Sequence, residues 1–220
     1  MPEPMKSIRV YYGDLTELPP LPEQITNAHP CSPAEISASQ QTSLWLRKLL
    51  ALELCVSAHD LEFTYGENGK PALVEHAISF NLAHTDKVFA LAVSHDLPAV
   101  GIDIENSARR LRNPAAFAEA CLDPDMLQQW LQIATTARSD FLLRHWVQRE
   151  AAVKASGTGL AMGWSVSIHA NEAIVAGTRI TCPHYLLGQH YLALAWPAST
   201  NKMPAITWRA LGTEWPITTL

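Results

Sequence analysis

One stretch constrains the fold of this chain before any other: Phe141 to Gly159, FLLRHWVQREAAVKASGTG. Apolar residues recur at helical spacing as far as Ala155, alanine is frequent and no proline intervenes, so a long helix is expected. Ser156-Gly157 and Gly159 end it, because glycine takes the left-handed dihedrals of a helix terminus without a Cβ penalty. Trp146, Glu150 and Lys154 stand four apart and share one face. Taken alone, Glu150 and Lys154 make an ordinary helix pair, stabilising by about 0.2–0.5 kcal/mol. The same pair also suits a phosphate site, with Glu150 toward a divalent cation and Lys154 toward phosphate charge.

Around this helix the pattern alternates between helical and extended stretches. Residues 8–12 read as a first strand. A loop carrying Pro19, Pro20, Pro22, Pro30 and Pro33 follows, too interrupted for regular structure. A helix is expected over 33–55, capped by Ser32 with Pro33 in its first turn, and its apolar stripe runs through Leu44, Leu46, Leu49, Leu50 and Leu54. Strands are expected at 61–65, 78–82, 88–93 and 100–105. Helices should cover 114–134 and 139–156, and strands 164–169, 173–180, 190–196 and 205–210. Each half thus gives helices followed by strands. This is an α+β pattern compatible with an internal duplication, although no residue-level repeat is visible.

Composition narrows the classes of function. At 48% hydrophobic and 17% charged over 220 residues, the chain buries a core and is not a disordered segment. A net charge of -5 without a long Lys/Arg tract argues against nucleic acid, whose affinity rests on phosphate neutralisation. Cys31, Cys55, Cys121 and Cys182 are scattered without a C-x-x-C, which argues against a zinc site or disulfide framework and for a reducing compartment. No basic-then-apolar leader and no apolar run of spanning length is present, so a cytoplasmic protein free of the membrane is expected.

Gly101-Ile102-Asp103-Ile104-Glu105 is the second informative stretch. In a strand, Asp103 and Glu105 point to one face while Ile102 and Ile104 point to the other. Neighbouring carboxylates repel unless a cation lies between them, and oxygen-only ligands favour magnesium or manganese. A solvated strand edge over an isoleucine core is the plainer account. His84 reads as a turn residue that can bond locally or meet a phosphate, and Lys70 has the same double reading. Arg47-Lys48 sits in an otherwise apolar helix. Ser94-His95-Asp96 is no triad, because consecutive residues cannot converge as triad members must.

Order changes the weight of these pieces. Gly69-Lys70-Pro71, Phe80-Asn81-Leu82-Ala83-His84-Thr85, Gly101-Ile102-Asp103-Ile104-Glu105 and Trp146-Val147-Gln148-Arg149-Glu150-Ala151-Ala152-Val153-Lys154 follow one another along the chain. Together they resemble the G-K-P, F-N-x-S-H-S, G-x-D-x-E and W-x-x-K-E-x-x-x-K motifs of the Sfp-like 4′-phosphopantetheinyl transferases. The resemblance covers roughly residues 40–200. It implies two similar α+β halves, 1–98 and 99–220, related by a pseudo-twofold, with coenzyme A in the cleft between them and probable activity replaced here by a stated expectation: transfer of phosphopantetheine to a serine of an apo acyl or peptidyl carrier protein. By the same resemblance Asp103, Glu105 and Glu150 would hold Mg²⁺ (or Mn²⁺), Lys154 would contact the phosphates, and Glu150 would take the serine proton. Lys70, His84, the backbone at Ala83 and Arg47 would meet the nucleotide end, and the internal symmetry favours a monomer.

The chain departs from that pattern at four places. Ala83 replaces a serine, and Arg149 replaces a lysine, keeping charge but changing geometry. Met126 stands at a commonly acidic position, with Asp125 one residue away. The first helix is poor in basic residues beyond Arg47 and Lys48. These departures motivate an alternative: a diverged relative that binds carrier protein or coenzyme A without turnover.

Overall fold

In a computed structural model, the described residues are 5–19, 37–159, 166–198 and 203–220. Strands Ser7–Asp14 (β1), Ser79–Thr85 (β4), Val88–Ser94 (β5) and Ala205–Ala210 (β12) form one sheet in the order β12-β1-β5-β4. Neighbours in it are antiparallel except β1 and β12, which run parallel from Ser7↔Ala205 to Tyr12↔Ala210. Phe63–Tyr65 (β2) and Pro71–Leu73 (β3) make a separate hairpin around the Gly69-Lys70 turn.

The second sheet is centred on His190–Pro197 (β11). Gly101–Asn106 (β6) pairs antiparallel with it from Asn106↔His190 to Gly101↔Ala195, and His184–Leu187 (β10) takes its other edge. Ser167–His169 (β7), Glu172–Val175 (β8) and Thr178–Thr181 (β9) continue beyond its end, and Ile217–Thr219 (β13) pairs with β10.

Alternation of side chains dictates how the sheets stack. Val10, Tyr12, Ala90 and Ala92 from the first sheet meet Ile102, Ile104, Leu192, Leu194 and Trp196 from the second in one buried seam. The opposite face of the first sheet, with Phe80, Phe89, Leu91 and Val93, is covered by helix Ala38–Leu54 (α1) through Trp45, Leu46, Leu49 and Leu50. The opposite face of the second sheet is covered by helix Arg138–Ser156 (α4) through Val147, Ala151 and Ala155, packed on Ala193 and Ala195. The order is helix, sheet, sheet, helix, an α+β architecture. Each large aliphatic side chain fully buried in these layers contributes about 1.5–3 kcal/mol.

Several expected elements shift. Ser37 is extended and caps α1 in a reciprocal pair with Gln40, so the helix begins at Ala38; Ser32 and Pro33 lie outside the described residues. The single helix expected over 114–134 is two, Pro114–Cys121 (α2) and Pro124–Gln132 (α3), because Asp123 caps the second and Pro124 starts it. The strand expected over 173–180 is the β8–β9 hairpin, turned at Ala176-Gly177, both with positive φ. Short strands β3, β10 and β13 were not expected. Among the described residues no helix is long and apolar enough to cross a membrane, and Cys55, Cys121 and Cys182 are free thiols.

Candidate functional site

The site forms where α4 lies on the carboxylate face of β6. Ile102 and Ile104 enter the seam between the sheets, so Asp103 and Glu105 turn toward α4, as the strand period requires. Gly101 makes the close approach possible: a Cβ there would stand 2.0 Å from the Ala151 carbonyl oxygen and 2.6 Å from the Ala155 nitrogen. Glycine opens this strand so that a helix backbone rests directly against it.

Across that contact the Lys154 ammonium donates to Asp103 Oδ1 at 2.6 Å and to the Ile102 carbonyl at 3.3 Å. Lys70 reaches over from the N-terminal half, donating to the Lys154 carbonyl at 2.6 Å and the Val100 carbonyl at 3.2 Å. A cation on the last carbonyls of a helix is favoured by its dipole. Burial holds the Lys70 pKa below its ordinary value. Asn68 Nδ2 donates to the Gly157 carbonyl at 2.9 Å, and Asn81 Oδ1 accepts the Ile102 N–H at 2.9 Å. These two amides dock the Gly69-Lys70 turn and β4 against α4 and β6. Lys70, Asn81, Glu150 and Lys154 share a cavity of about 270 Å³.

The three acidic residues are strained electrostatically. Glu150 is 8% exposed and Asp103 7%. Burial pushes the Glu150 carboxyl above its usual range, Asp103 and Glu105 push it further, and Lys154 and Arg149 pull back. Burial also raises Asp103, against the pull of Lys154. Glu105 is raised by burial, opposed by Arg109 and reinforced by Asp103. Its carboxylate is bonded to Arg109, and Thr85 Oγ1 lies 3.5 Å away. Among the described residues no three His, Cys, Asp or Glu side chains are grouped so as to hold a metal ion; Asp103 is turned to Lys154 and Glu105 to Arg109. The donor chemistry nevertheless fits a hard divalent cation. All three donors are carboxylates that repel one another, and Asp103 Oδ2 is buried with no hydrogen-bond partner.

The other expected residues separate. His84 is exposed and lines a second cavity with Thr85, Glu105 and Arg109, away from Lys70. Ala83 is buried in the seam between the sheets. Arg47 donates to the Ala58 and Leu61 carbonyls at 2.8 and 2.7 Å, lies over the Phe63 ring, and lines a cavity of about 600 Å³ with His59, Tyr65, Pro71 and Leu82. Lys48 lies over the Trp45 ring instead.

Residues 99–198 match the family model described as the 4′-phosphopantetheinyl transferase superfamily. The chain is 30% identical over 123 residues to a Synechocystis protein named "Putative 4'-phosphopantetheinyl transferase slr0495", covering 54% of this chain and 49% of that one. It is 28% identical over 120 residues to the 4′-phosphopantetheinyl transferase HetI of Nostoc, covering 53% and 50%. These residues place the chain in the 4′-phosphopantetheinyl transferase superfamily. The chain spans about half the length of the curated relatives it matches.

Within the superfamily pattern, the departures have local explanations. Arg149 is 3% exposed and donates to the Cys121 carbonyl, so its guanidinium ties the end of α2 to α4. Met126 is buried and Asp125 is exposed in the first turn of α3, so the residue at the acidic position packs as core. The sequence reading passed over Asn68 and Asn81, which look like ordinary turn and strand amides. It also passed over Arg109-Arg110-Leu111-Arg112, a dense local cluster masked by the negative net charge.

Proposed function

We propose that the protein transfers the 4′-phosphopantetheine arm of coenzyme A to a serine of an apo acyl or peptidyl carrier protein in the presence of Mg²⁺, releasing adenosine 3′,5′-bisphosphate. The observation that carries this reading is the meeting of Glu150 and Lys154 on α4 with Asp103 on β6, beside a cavity that Lys70 also lines. Phosphoryl transfer asks mainly for positioning and charge neutralisation, and these side chains supply both.

In this reading the serine oxygen forms a bond to the phosphorus nearest the pantetheine, the bond from that phosphorus to the adenosine bisphosphate oxygen breaks, and the serine proton passes to Glu150. A carboxyl held above its ordinary range by burial and by Asp103 is a better base than a solvated one. Lys154 neutralises charge growing on the departing phosphate. Lys70, His84 and Arg47 serve the nucleotide end, Arg47 from the larger cavity beside it. Asp103, Glu105 and Glu150 are the residues that would hold Mg²⁺, whose chemistry when bound is to draw electron density from the pyrophosphate.

The test is a panel of apo carrier proteins incubated with coenzyme A and Mg²⁺ and read by mass spectrometry. A gain of one phosphopantetheine on a carrier serine is expected; no gain on any carrier, beside an active control enzyme, overturns the reading. Glu150→Gln should abolish transfer while leaving a folded protein. A second reading, binding without turnover, is favoured by buried Met126 at the acidic position. It predicts calorimetric binding of coenzyme A or carrier with no adenosine bisphosphate released.

A further inference from the structure

The loop between β6 and α2 carries Arg109, Arg110 and Arg112, all exposed, three positive charges within four residues of a chain whose net charge is -5. The loop is built to present them. Ser107 bonds the Gln189 carbonyl through both its N–H at 2.9 Å and its hydroxyl at 2.8 Å. Asn106 Oδ1 accepts the Ala108 N–H at 2.9 Å, and its carbonyl accepts the Arg109 N–H at 3.0 Å. Between the arginines, Leu111 packs inward against the buried residues of α4 and α2. With Leu111 anchored, Arg110 and Arg112 on either side are left facing water. The far end of the loop is fixed by Asn113, which caps α2.

This presentation lies at the rim of the site. Arg109 bonds Glu105 and, with His84 and Glu105, lines the same cavity. Beyond the loop, Phe117 of α2 stacks on Trp146 of α4 with ring centroids 5.1 Å apart, and both are half-buried. A rigid pair of outward arginines beside a partly exposed aromatic pair matches an acidic protein surface with an apolar residue in it.

We propose that Arg110 and Arg112 form the docking surface for the carrier protein, gripping acidic side chains that flank its acceptor serine while Phe117 and Trp146 take an apolar side chain. The proposal rests on the transferase reading above and names how that reaction's protein substrate is recognised. Arg109 belongs to the site and not to the grip.

The test compares wild type, Arg110→Glu/Arg112→Glu and Arg110→Lys/Arg112→Lys with coenzyme A, Mg²⁺ and an apo carrier that wild type modifies. The charge-reversed variant should raise the carrier KM about tenfold or more, with kcat and the coenzyme A KM unchanged and the gap narrowing as salt rises. The lysine variant should fall near wild type. A carrier KM within twofold of wild type, or a rise in the coenzyme A KM instead, overturns the docking surface while leaving the transferase reading intact. If wild type modifies no carrier, the transferase reading fails first, and carrier binding is compared directly by calorimetry. Weaker binding by the charge-reversed variant then supports the surface, and equal binding or none overturns it.

Discussion

Gly101→Ala tests the central geometric argument, that the site exists only because a helix backbone can lie on β6. The new methyl would sit 2.0 Å from the Ala151 carbonyl oxygen, where ordinary contacts begin at 3.4 Å. The strand is held from behind by β11 and by the seam of Ile102 and Ile104. Helix α4 must therefore give way, by about an ångström or more, since packed interiors do not absorb such overlaps in place. Overpacking of this kind costs about 1–3 kcal/mol. The chemical cost is larger, because a 1 Å misplacement in an active site can lower a rate about a hundredfold. The 2.6 Å contacts from Lys154 to Asp103 and from Lys70 to the Lys154 carbonyl are the first to stretch. Urea denaturation and initial rates of carrier modification would be measured side by side, together with Gly101→Ala/Ala151→Gly. The second change should restore nothing, because the clash is with backbone. A Gly101→Ala protein with wild-type stability and rate would refute the reasoning.

Lys154→Met should destabilise the fold at neutral pH by about 3 kcal/mol, since it strands a buried Asp103 carboxylate; adding Asp103→Asn should recover most of the loss, as urea midpoints would show. Glu150→Gln should raise the melting temperature while abolishing transfer, because it removes a buried charge pressed by two others; an unchanged or lower melting temperature contradicts that account. Burial, with Arg144 and His145 nearby, pushes the His184 pKa down to about 4. The unfolded chain then binds the extra proton first, so stability is full above the ordinary histidine pKa and falls as pH drops from about 6.5 toward 4. His184→Leu should flatten that acid limb in a thermal-shift series, and an unaltered limb would remove His184 as its source.

Much of this was legible in residue order because it depends on local periodicity. Helix α4 declared itself by its spacing and its terminal glycines, and strand alternation alone aims Asp103 and Glu105 away from the isoleucines. The divided helix was also written locally, in Asn113-Pro114 and Asp123-Pro124, two cap-and-proline pairs that the apolar pattern overshadowed. What could not be read was tertiary. Strands β10 and β13 are four and three residues long and exist through partners far along the chain. Lys70 looks like a solvated turn lysine until α4 brings its terminal carbonyls within reach. Nor does spacing reveal that Asp103 and Glu105 have cationic partners at Lys154 and Arg109.

Strand β12 pairs alongside β1, with Ser7 opposite Ala205. During synthesis the opening strand must wait nearly two hundred residues for the neighbour that closes its flank. Until then its unpaired amides and carbonyls form a template for stray strands. Whatever shields that edge on the ribosome governs the yield of soluble protein as much as any residue of the cleft.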